Sequence, residues 1–188
     1  LSSLRKSGFR PLLVSLPQGE GIKRFSVVAS LCRRMAAEGT DRFSPLVALG
    51  GGTIGDLGGF VASLYMRGIP FFSVPTTLLA QIDAAIGGKN GINLPEGKNL
   101  VGTFYRPRMV LVDPDFIETL PHERFLEGVA EAVKAGVVAD KALYRFIAGN
   151  ARRILQRDPS ILRPLIARSI AVKSAIVRQD ERDPNKRP

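Results

Sequence analysis

Apolar runs alternate with helical periodicity along the chain as far as residue 113. Three uninterrupted apolar runs have the length of buried strands: PLVAL (45–49), FFSV (71–74) and MVLVD (109–113). Apolar positions recur at helical spacing in three other stretches: 22–38, 56–66 and 77–86. Buried strands without polar alternation, separated by helices, are typical of a parallel sheet covered on both faces. We therefore predict an α/β fold for this part of the chain.

Helical patterns replace the strand patterns near Leu120. Three further helices are predicted: 121–139 with Pro121 in its first turn, 141–148 with Asp140 as N-cap, and from Asp158-Pro159 to about Gln179. Pro164 should delay or kink the start of the last helix. The pattern thus divides the chain into an α/β domain over 1–120 and the beginning of an all-helical domain over 121–188.

The charge distribution indicates which kind of binding partner is expected. The formal net charge is +10, and residues 151–188 hold ten basic and four acidic side chains. A basic tail first suggests nucleic acid, but no aromatic residues lie among its arginines and no recognition motif accompanies them. We expect no nucleic-acid partner, and the positive charge favours attraction of an anionic small substrate.

The rare residues exclude several kinds of site. One His and one Cys exclude, within this chain, an HExxH motif, a Cys2His2 site and a disulfide framework. No apolar run approaches the roughly 20 residues that span a bilayer, so we expect a cytoplasmic protein with no membrane partner. Because both ends of the sequence look cut, at Leu1 and Pro188, we expect an internal piece of a longer protein.

A glycine-rich turn, GGGTIGD from Gly50 to Asp56, follows the first predicted strand. Glycines there let the backbone approach a pyrophosphate, whose oxygens the amides at a helix start can bind. The spacing matches neither GxGxxG nor Walker A, so a simple tight connection stays an alternative. Upstream, Glu20 and Lys23 suit ribose hydroxyls or, alternatively, a solvated helix start.

Further polar residues follow the second predicted strand. Thr76 and Thr77 stand at its end, where a Thr can be an ordinary N-cap. Ligands of open parallel sheets bind at the carboxyl ends of the strands, so these residues and the glycine turn would share one edge. Asp83 then precedes two glycine-rich loops, GGKN (87–90) and GKN (97–99). Their lysines suit a phosphorylated and carboxylated polyol, although a solvated loop has the same composition.

The helix after Pro121 carries acidic and basic residues on one face. Glu127 and Glu131 are four residues apart, and Lys134 follows Glu131 by three. A surface ion pair is the ordinary explanation, but Glu131 is also a candidate metal ligand if partners come from elsewhere. We expect His122, at the start of this helix, to be a solvated first-turn residue rather than a ligand.

Four segments together resemble, in order and spacing, the motifs of the 3-dehydroquinate synthase family. They are GGGTIGDLGGFVASLYMRG, VPTTLLAQIDAAIGGKNGIN, GKNLVGTFY and EGVAEAVKAG, and KSAIVRQDERD resembles the segment before the family's histidine motif. The resemblance covers essentially the whole chain. It implies a nucleotide-binding α/β domain with a parallel sheet, followed by a helical metal- and substrate-binding domain, in a sugar phosphate cyclase of the shikimate pathway.

The resemblance also assigns roles to residues. NAD would be bound by Glu20, Lys23, Gly51, Gly52, Thr53, Asp56, Thr76, Thr77, Lys98, and the stretch from Phe116 to Thr119. The phosphorylated sugar acid would be bound by Asp83, Lys89, Asn99, Lys134, Lys173 and Arg187, with Arg67 lent across a homodimer interface. Glu131 matches the carboxylate ligand of a divalent metal, zinc or cobalt. Glu127 stands where relatives often have a small or amide residue.

The implied reaction converts 3-deoxy-arabino-heptulosonate 7-phosphate to 3-dehydroquinate and phosphate. NAD oxidises a secondary alcohol, the ketone acidifies the adjacent C–H, phosphate leaves, the hydride returns, and an intramolecular aldol closes the ring. The metal would polarise the oxidised carbon's oxygen, Lys134 would orient or protonate near it, and Lys89 and Arg67 would stabilise anionic groups.

Three alternatives to this reaction stay open. They are cyclases of non-carboxylated sugar phosphates, metal-dependent polyol dehydrogenases, and a non-catalytic NAD-binding fragment. Basic residues at Lys173 and Arg187 favour a carboxylated substrate. The family's two histidine ligands would lie beyond residue 188, and the first strand of the nucleotide-binding half before Leu1. Because a zinc site needs at least three protein ligands, we predict that this chain alone neither retains metal nor turns over substrate.

Overall fold

The computed structural model describes the backbone of residues 1–182 and the side chains of residues 1–179. Its helices are α1 (Ser2–Lys6), α2 (Phe25–Ala37), α3 (Gly52–Leu64), α4 (His122–Val138), α5 (Lys141–Gly149), α6 (Ala151–Leu155) and α7 (Pro159–Arg182). Its strands are β1 (Leu46–Gly50), β2 (Phe71–Pro75), β3 (Lys89–Leu94), β4 (Gly97–Phe104) and β5 (Met109–Val110). Short helical turns lie at Glu20–Ile22, Tyr65–Arg67, Ala80–Ala84 (a π-turn) and Pro114–Ile117. None of the described helices has the length and apolarity that a bilayer crossing requires.

The three predicted strands form one parallel sheet in the order β1-β2-β5, which confirms the α/β fold. Strand β5 is shorter than the predicted run 109–113, since only Met109–Val110 pair with β2. The chain leaves the sheet because the Asp113 carboxylate accepts a hydrogen bond from the Asp115 amide at 3.0 Å and so caps the turn Pro114–Ile117.

Helix α3 covers one face of this sheet. A Cβ on Gly58 of α3 would lie 2.8 Å from the Ala48 Cβ, so this glycine allows helix and strand to pack closely. On the other face, Val47, Leu49 and Met109 are exposed. The expectation of a sheet covered on both faces is therefore wrong for the described residues, which place their helices on one side only.

The prediction of two glycine-rich loops at 87–90 and 97–99 holds only for Gly87 and Gly88, because the other residues belong to the strands of the antiparallel hairpin β3-β4. Its glycines serve the approach of the strands: a Cβ on Gly102 would lie 2.2 Å from the Asn90 carbonyl oxygen. The hairpin packs on α3 at Gly59, where a Cβ would meet the Asn90 side chain. Sequence patterns favour a loop here because Gly and Asn are depleted in strands.

Two helices of the helical part begin at the N-cap residues that the sequence predicts. The Asp140 carboxylate accepts from the Ala142 and Leu143 amides at 2.7 and 3.1 Å and begins α5. The Asp158 carboxylate accepts from the Ser160 amide at 2.9 Å and begins α7. Helix α7 starts at Pro159 and passes through Pro164, so the expected delay is wrong. A proline in the second turn of a long helix removes one backbone hydrogen bond, and the other turns continue.

Two apolar clusters form the core. One joins α2, α3 and the hairpin through residues such as Leu57, Phe60 and Ile92. The other joins the helical part to the segments that follow β2 and β5, and it includes Leu78, Ile82, Ile117, Phe125, Leu165 and Ile166. The chain after β2 thus packs with α4 and α7, which brings the carboxyl edge of the sheet against the helices.

The Arg157 side chain connects the helical part to the turn Pro114–Ile117 and the residues after it by hydrogen bonds. Its guanidinium donates to the carbonyl oxygens of Ile117 and Glu118 at 2.9 and 2.8 Å and to that of Leu120 at 2.6 Å. It also lies 4.9 Å from the centroid of the Phe125 ring. The planar guanidinium matches these acceptors in a way that an ammonium group cannot.

We expect Arg157→Lys to lower the free energy of unfolding by about 1.5 kcal/mol, since charge-assisted hydrogen bonds to carbonyls are lost. Urea unfolding followed by circular dichroism measures the change. Arg152→Lys, on the exposed side of α6, is the matched control and should leave the midpoint unchanged. Equal midpoints for both variants and the wild type would contradict this role for Arg157.

Candidate nucleotide and substrate site

The glycine turn and the Thr76-Thr77 segment meet at the carboxyl edge of the sheet. Gly50 and Pro75, the last residues of β1 and β2, pair in register. The Thr76 amide donates to the Gly50 carbonyl oxygen at 2.9 Å. The Thr77 hydroxyl accepts from the Ala80 amide at 3.2 Å, so Thr77 is also the local helix cap that its position suggested.

This edge fits a pyrophosphate. Helix α3 starts after Gly51, and no side chain caps it, which leaves its first amides to a ligand. A Cβ on Gly51 would lie 3.1 Å from the Thr77 methyl carbon, and one on Gly52 would lie 3.3 Å from Ala84. The cleft beside the turn holds about 10 Å³, roughly one water molecule. The cleft itself is therefore too small to enclose a nucleotide.

Lys23 is the centre of a polar cluster beside the glycine turn. Although only 3% exposed, its ammonium donates to Asp56 Oδ2 at 2.6 Å and to Asn99 Oδ1 at 2.5 Å. Glu20 completes the cluster by accepting from the Thr53 hydroxyl at 2.7 Å. The alternative of a solvated helix start is thus wrong for Lys23. The structure places Asn99, expected at the substrate, with residues expected at the nucleotide.

Opposing effects set the pKa values of the two acids. Burial would raise the pKa of Glu20, but hydrogen bonds from Thr53 and Asn93 and the charges of Lys23 and Lys98 together hold it below its usual range. Burial raises the pKa of Asp56, and its contact with Lys23 offsets only part of that effect. Glu20 therefore stays ionised to lower pH than a free glutamate, which suits an acceptor for hydroxyl groups.

Glu20 also gives a pH-dependent prediction. Its pKa is lowered on folding, so its ionised form stabilises the fold above the unfolded pKa, near 4.5, and this contribution is lost as the pH falls through the folded pKa. We expect Glu20→Gln to cost about 0.5 kcal/mol at pH 7, because the group is partly exposed, and progressively less as the pH falls through the folded pKa of Glu20. Thermal melts over a series of pH values from 7 downwards test this, with Glu38→Gln as control. A difference that does not shrink as the pH is lowered would contradict it.

A second cluster lies where the π-turn Ala80–Ala84 faces α4 and α7. Asp83 pairs with Lys173 of α7 at 2.5 Å. Lys134 of α4 pairs with Glu131 at 2.7 Å. The hydrogen bond with Glu131 raises the pKa of Lys134, and the charges of Glu131 and Asp83 add to this. The structure thus brings these four expected residues, from distant parts of the sequence, to one place.

The described residues do not form a metal site by themselves. No group of three or more His, Cys, Asp or Glu residues that could hold an ion occurs among them. Glu131, the expected ligand, is paired with Lys134 instead. Glu127 pairs with Arg124 at 2.6 Å, and His122 is exposed at the start of α4. A metal ion would need ligands besides the described side chains of residues 1–179.

Several expected residues lie apart from both clusters. Lys89 is exposed on the hairpin, whereas Lys98, also exposed there, is close enough to the first cluster for its charge to lower the pKa of Glu20. Arg67 follows α3 near the amino end of β2, in a left-handed conformation with φ 65°. There it lines an open cavity of about 500 Å³ with Arg42 and Arg108. The Phe116 to Thr119 stretch follows β5 and so leaves the sheet at its carboxyl edge. Arg187 lies outside the described residues.

Sequence patterns missed two residues of the site. Asn93 donates to Glu20 Oε2 at 3.1 Å and accepts from the Asn99 amide at 2.9 Å. Gln81, in the π-turn, is completely buried. Both depend on the hairpin and the π-turn, and neither element has a periodicity that reveals it in advance.

A parallel sheet with a glycine turn and a lysine–acid cluster at its carboxyl edge is typical of a nucleotide-binding α/β protein. Two family models match the chain: 3-dehydroquinate synthase N-terminal over residues 13–127, and 3-dehydroquinate synthase C-terminal over residues 128–188. The chain therefore belongs to the 3-dehydroquinate synthase family, which confirms the resemblance of its motifs.

Individual proteins agree with this assignment. The 3-dehydroquinate synthase of Thermodesulfovibrio yellowstonii is 45% identical over 183 residues, 97% of this chain and 51% of the relative. ValA, the 2-epi-5-epi-valiolone synthase of Streptomyces hygroscopicus solved with NAD+ and Zn2+, matches with a TM-score of 0.83 at 32% identity, over 88% of this chain and 47% of that one. A 2-deoxy-scyllo-inosose synthase with carbaglucose-6-phosphate, NAD+ and Co2+ matches with a TM-score of 0.79 at 33% identity, over 85% and 44%. The chain spans about half the length of the curated relatives it matches.

Proposed function

We propose that this chain is the nucleotide-binding half, with the first part of the helical half, of an NAD- and metal-dependent 3-dehydroquinate synthase. Residues 1–120 form the NAD-binding domain and residues 121–188 begin the metal- and substrate-binding domain. One observation carries the proposal. Asp83, in the segment that follows β2, lies together with Lys134 of α4 and Lys173 of α7. A nucleotide at the sheet edge and an anionic substrate at the helices would then be neighbours.

The residues at the sheet edge suit NAD. The first amides of α3 bind its pyrophosphate, and Glu20, of lowered pKa, accepts hydrogen bonds from ribose hydroxyls. Further contacts come from Lys23, Gly51, Gly52, Thr53, Asp56, Thr76, Thr77, Lys98, Phe116 and Thr119. When bound, NAD takes a hydride from the substrate alcohol and later returns it, so it is recovered unchanged.

The helical cluster suits a phosphorylated sugar acid. The hydrogen bond with Glu131 raises the pKa of Lys134, and its ammonium can also donate to a substrate oxygen. Lys173, which is paired with Asp83, can also donate to an anionic group of the substrate. Lys89, Asn99 and Arg187 complete the proposed contacts. Preorganised cations of this kind stabilise charge that develops on oxygen as phosphate leaves.

Arg67 belongs to a separate part of the proposal. It lies near the amino end of β2, whereas the nucleotide and substrate residues lie at the carboxyl edge. We assign it to the neighbouring site of a homodimer, to which it contributes a cation.

The metal gives a testable prediction for this chain. Glu131 is the only ligand we assign within it, and three protein ligands are needed for a stable zinc site. After incubation with zinc and dialysis, we expect well below one equivalent per chain by elemental analysis, and no phosphate release from the heptulosonate phosphate. One equivalent of retained zinc, or phosphate release, would contradict the assignment.

A chimera tests the function itself. This chain replaces the 183 matching residues of the Thermodesulfovibrio yellowstonii relative, and phosphate release from 3-deoxy-arabino-heptulosonate 7-phosphate is followed. We expect activity, with a loss of at least about 100-fold in Lys134→Met because a general acid or orienting cation is removed. A folded, zinc-loaded chimera without activity would contradict the proposal.

The chimera also decides between two substrate classes. The similarity to ValA and to 2-deoxy-scyllo-inosose synthase favours, as a second candidate, a cyclase of sugar phosphates without a carboxylate. We expect preference for the carboxylated heptulosonate, because Lys173 supplies a cation beside the site. Preference for sedoheptulose 7-phosphate or glucose 6-phosphate would favour the second candidate instead.

A further inference from the structure

Gln81 links the ends of two neighbouring strands by its side chain. Its Nε2 donates to the carbonyl oxygen of Pro75, the last residue of β2, at 3.2 Å and to that of Asp113, after β5, at 2.7 Å. Because both partners are carbonyl oxygens, only the amide nitrogen can face them, which fixes the orientation of the side chain. Gln81 is 0% exposed, so water does not compete for these contacts.

The two acceptors lie directly before the proposed nucleotide contacts. Thr76 and Thr77 follow Pro75, and the stretch from Phe116 to Thr119 begins three residues after Asp113. One amide group therefore sets the spacing between two separate nucleotide-binding segments. The last backbone hydrogen bond between these strands runs from the Leu111 amide to the Ser73 carbonyl oxygen at 2.8 Å, two residues before Pro75 and Asp113, so the Gln81 amide extends the connection beyond the paired residues of β2 and β5.

The oxygen atom of the Gln81 amide shows that a glutamine is energetically unfavourable here in one respect. The Gln81 Oε1 atom is buried and has no hydrogen-bond partner. An unpaired buried acceptor is unfavourable, and an apolar side chain would avoid it. The glutamine also lies in a π-turn, an uncommon helical geometry that is frequent at functional sites. Packing alone favours neither feature, whereas the two donated hydrogen bonds require a primary amide at this position.

We propose that Gln81 is a positioning residue for the nucleotide, which holds the Thr76-Thr77 segment and the Phe116 to Thr119 stretch at the separation that NAD binding needs. This proposal rests on the proposed NAD site. Gln81 itself does not contact the nucleotide and acts through the two backbone carbonyls.

Two variants test the proposal on the full 188-residue chain by calorimetric titration with NAD. Gln81→Met keeps the volume and removes both donors, and we expect a Kd about tenfold weaker at a temperature at which circular dichroism shows the variant folded. Gln81→Glu keeps the shape but donates only when protonated. Its NAD affinity should therefore be weak at pH 8 and recover partly at pH 5.5, whereas the wild type changes little. Gln156→Met, in an exposed position after α6, is the matched control.

Hydrogen exchange without NAD gives an independent measurement. We expect the amides of residues 114–119 to exchange faster in Gln81→Met than in the wild type. Wild-type affinity in both Gln81 variants, with no pH dependence in Gln81→Glu, would overturn the positioning role even if both variants lose thermal stability. A wild-type chain that binds no NAD would contradict the nucleotide site itself, which separates failure of the proposed function from failure of this inference.

Discussion

Gly128→Ala is expected to destabilise the chain by about 3 kcal/mol, because α4 has no room for a methyl group at this residue. A Cβ there would lie 2.6 Å from the Leu78 Cβ and 2.8 Å from the backbone nitrogen of Leu79. A backbone atom cannot move aside as a flexible side chain can, so α4 must shift away from the segment that follows β2. Alanine would favour the helix by only about 1 kcal/mol, which does not offset the clash.

The same shift would separate the two parts of the proposed site, since Glu131 and Lys134 lie one to two turns further along α4. Urea unfolding followed by circular dichroism measures the loss of stability. Gly149→Ala is the control, because a Cβ there meets nothing within 4 Å. A Gly128→Ala chain as stable as the wild type would show that α4 does not pack against this segment.

Lys23→Met is the second substitution with a large expected effect. It leaves the Asp56 carboxylate without its cation and the Asn99 Oδ1 atom without its donor. We expect a loss of about 3 kcal/mol, at the lower end of the range for breaking a buried ion pair, because the Asp56 side chain is still 24% exposed. NAD affinity should fall as well, since the cluster adjoins the glycine turn.

The pH dependence identifies the cause of this loss. Without Lys23 the pKa of Asp56, already raised by burial, should rise further. A raised carboxyl pKa destabilises the fold as the pH rises from the unfolded pKa of the group to its folded pKa, so the deficit of Lys23→Met should shrink as the pH is lowered from 7 towards the ordinary pKa of an aspartate. Lys23→Met with Asp56→Asn should be more stable at pH 7 than Lys23→Met alone. A deficit independent of pH, with no recovery in the double variant, would assign the loss to packing.

The elements that sequence alone predicts well are those with a local physical signal. The three apolar runs form parallel strands, and the carboxylates of Asp140 and Asp158 cap the helices that they were expected to begin. The sequence did not predict the hairpin β3-β4. Its glycines allow the two backbones to approach closely, and its glycines and asparagines leave no alternation of apolar and polar residues that would indicate strands.

In the candidate site, too, some contacts have a local sequence signal and others do not. The glycine turn and the Thr76-Thr77 segment share one edge because parallel strands end together. The partnership of Lys23 with Asn99 joins residues 76 positions apart through the hairpin, and no local pattern encodes it. The link made by Gln81 depends on the π-helical turn Ala80–Ala84, which adds one residue to a helical turn. The direction of the Gln81 side chain could therefore not be predicted from a period of 3.6 residues.

The most direct test of the nucleotide site is hydrogen exchange of the 188-residue chain with and without saturating NAD. We predict that NAD slows exchange together in three separate segments: residues 51–55 at the start of α3, residues 76–78 after β2, and residues 114–119 after β5. Helix α5, which contributes no residue to the proposed nucleotide site, should serve as an internal reference with unchanged exchange. Protection confined to other segments, or no protection at any NAD concentration tested, would contradict a nucleotide site at the carboxyl edge of the sheet.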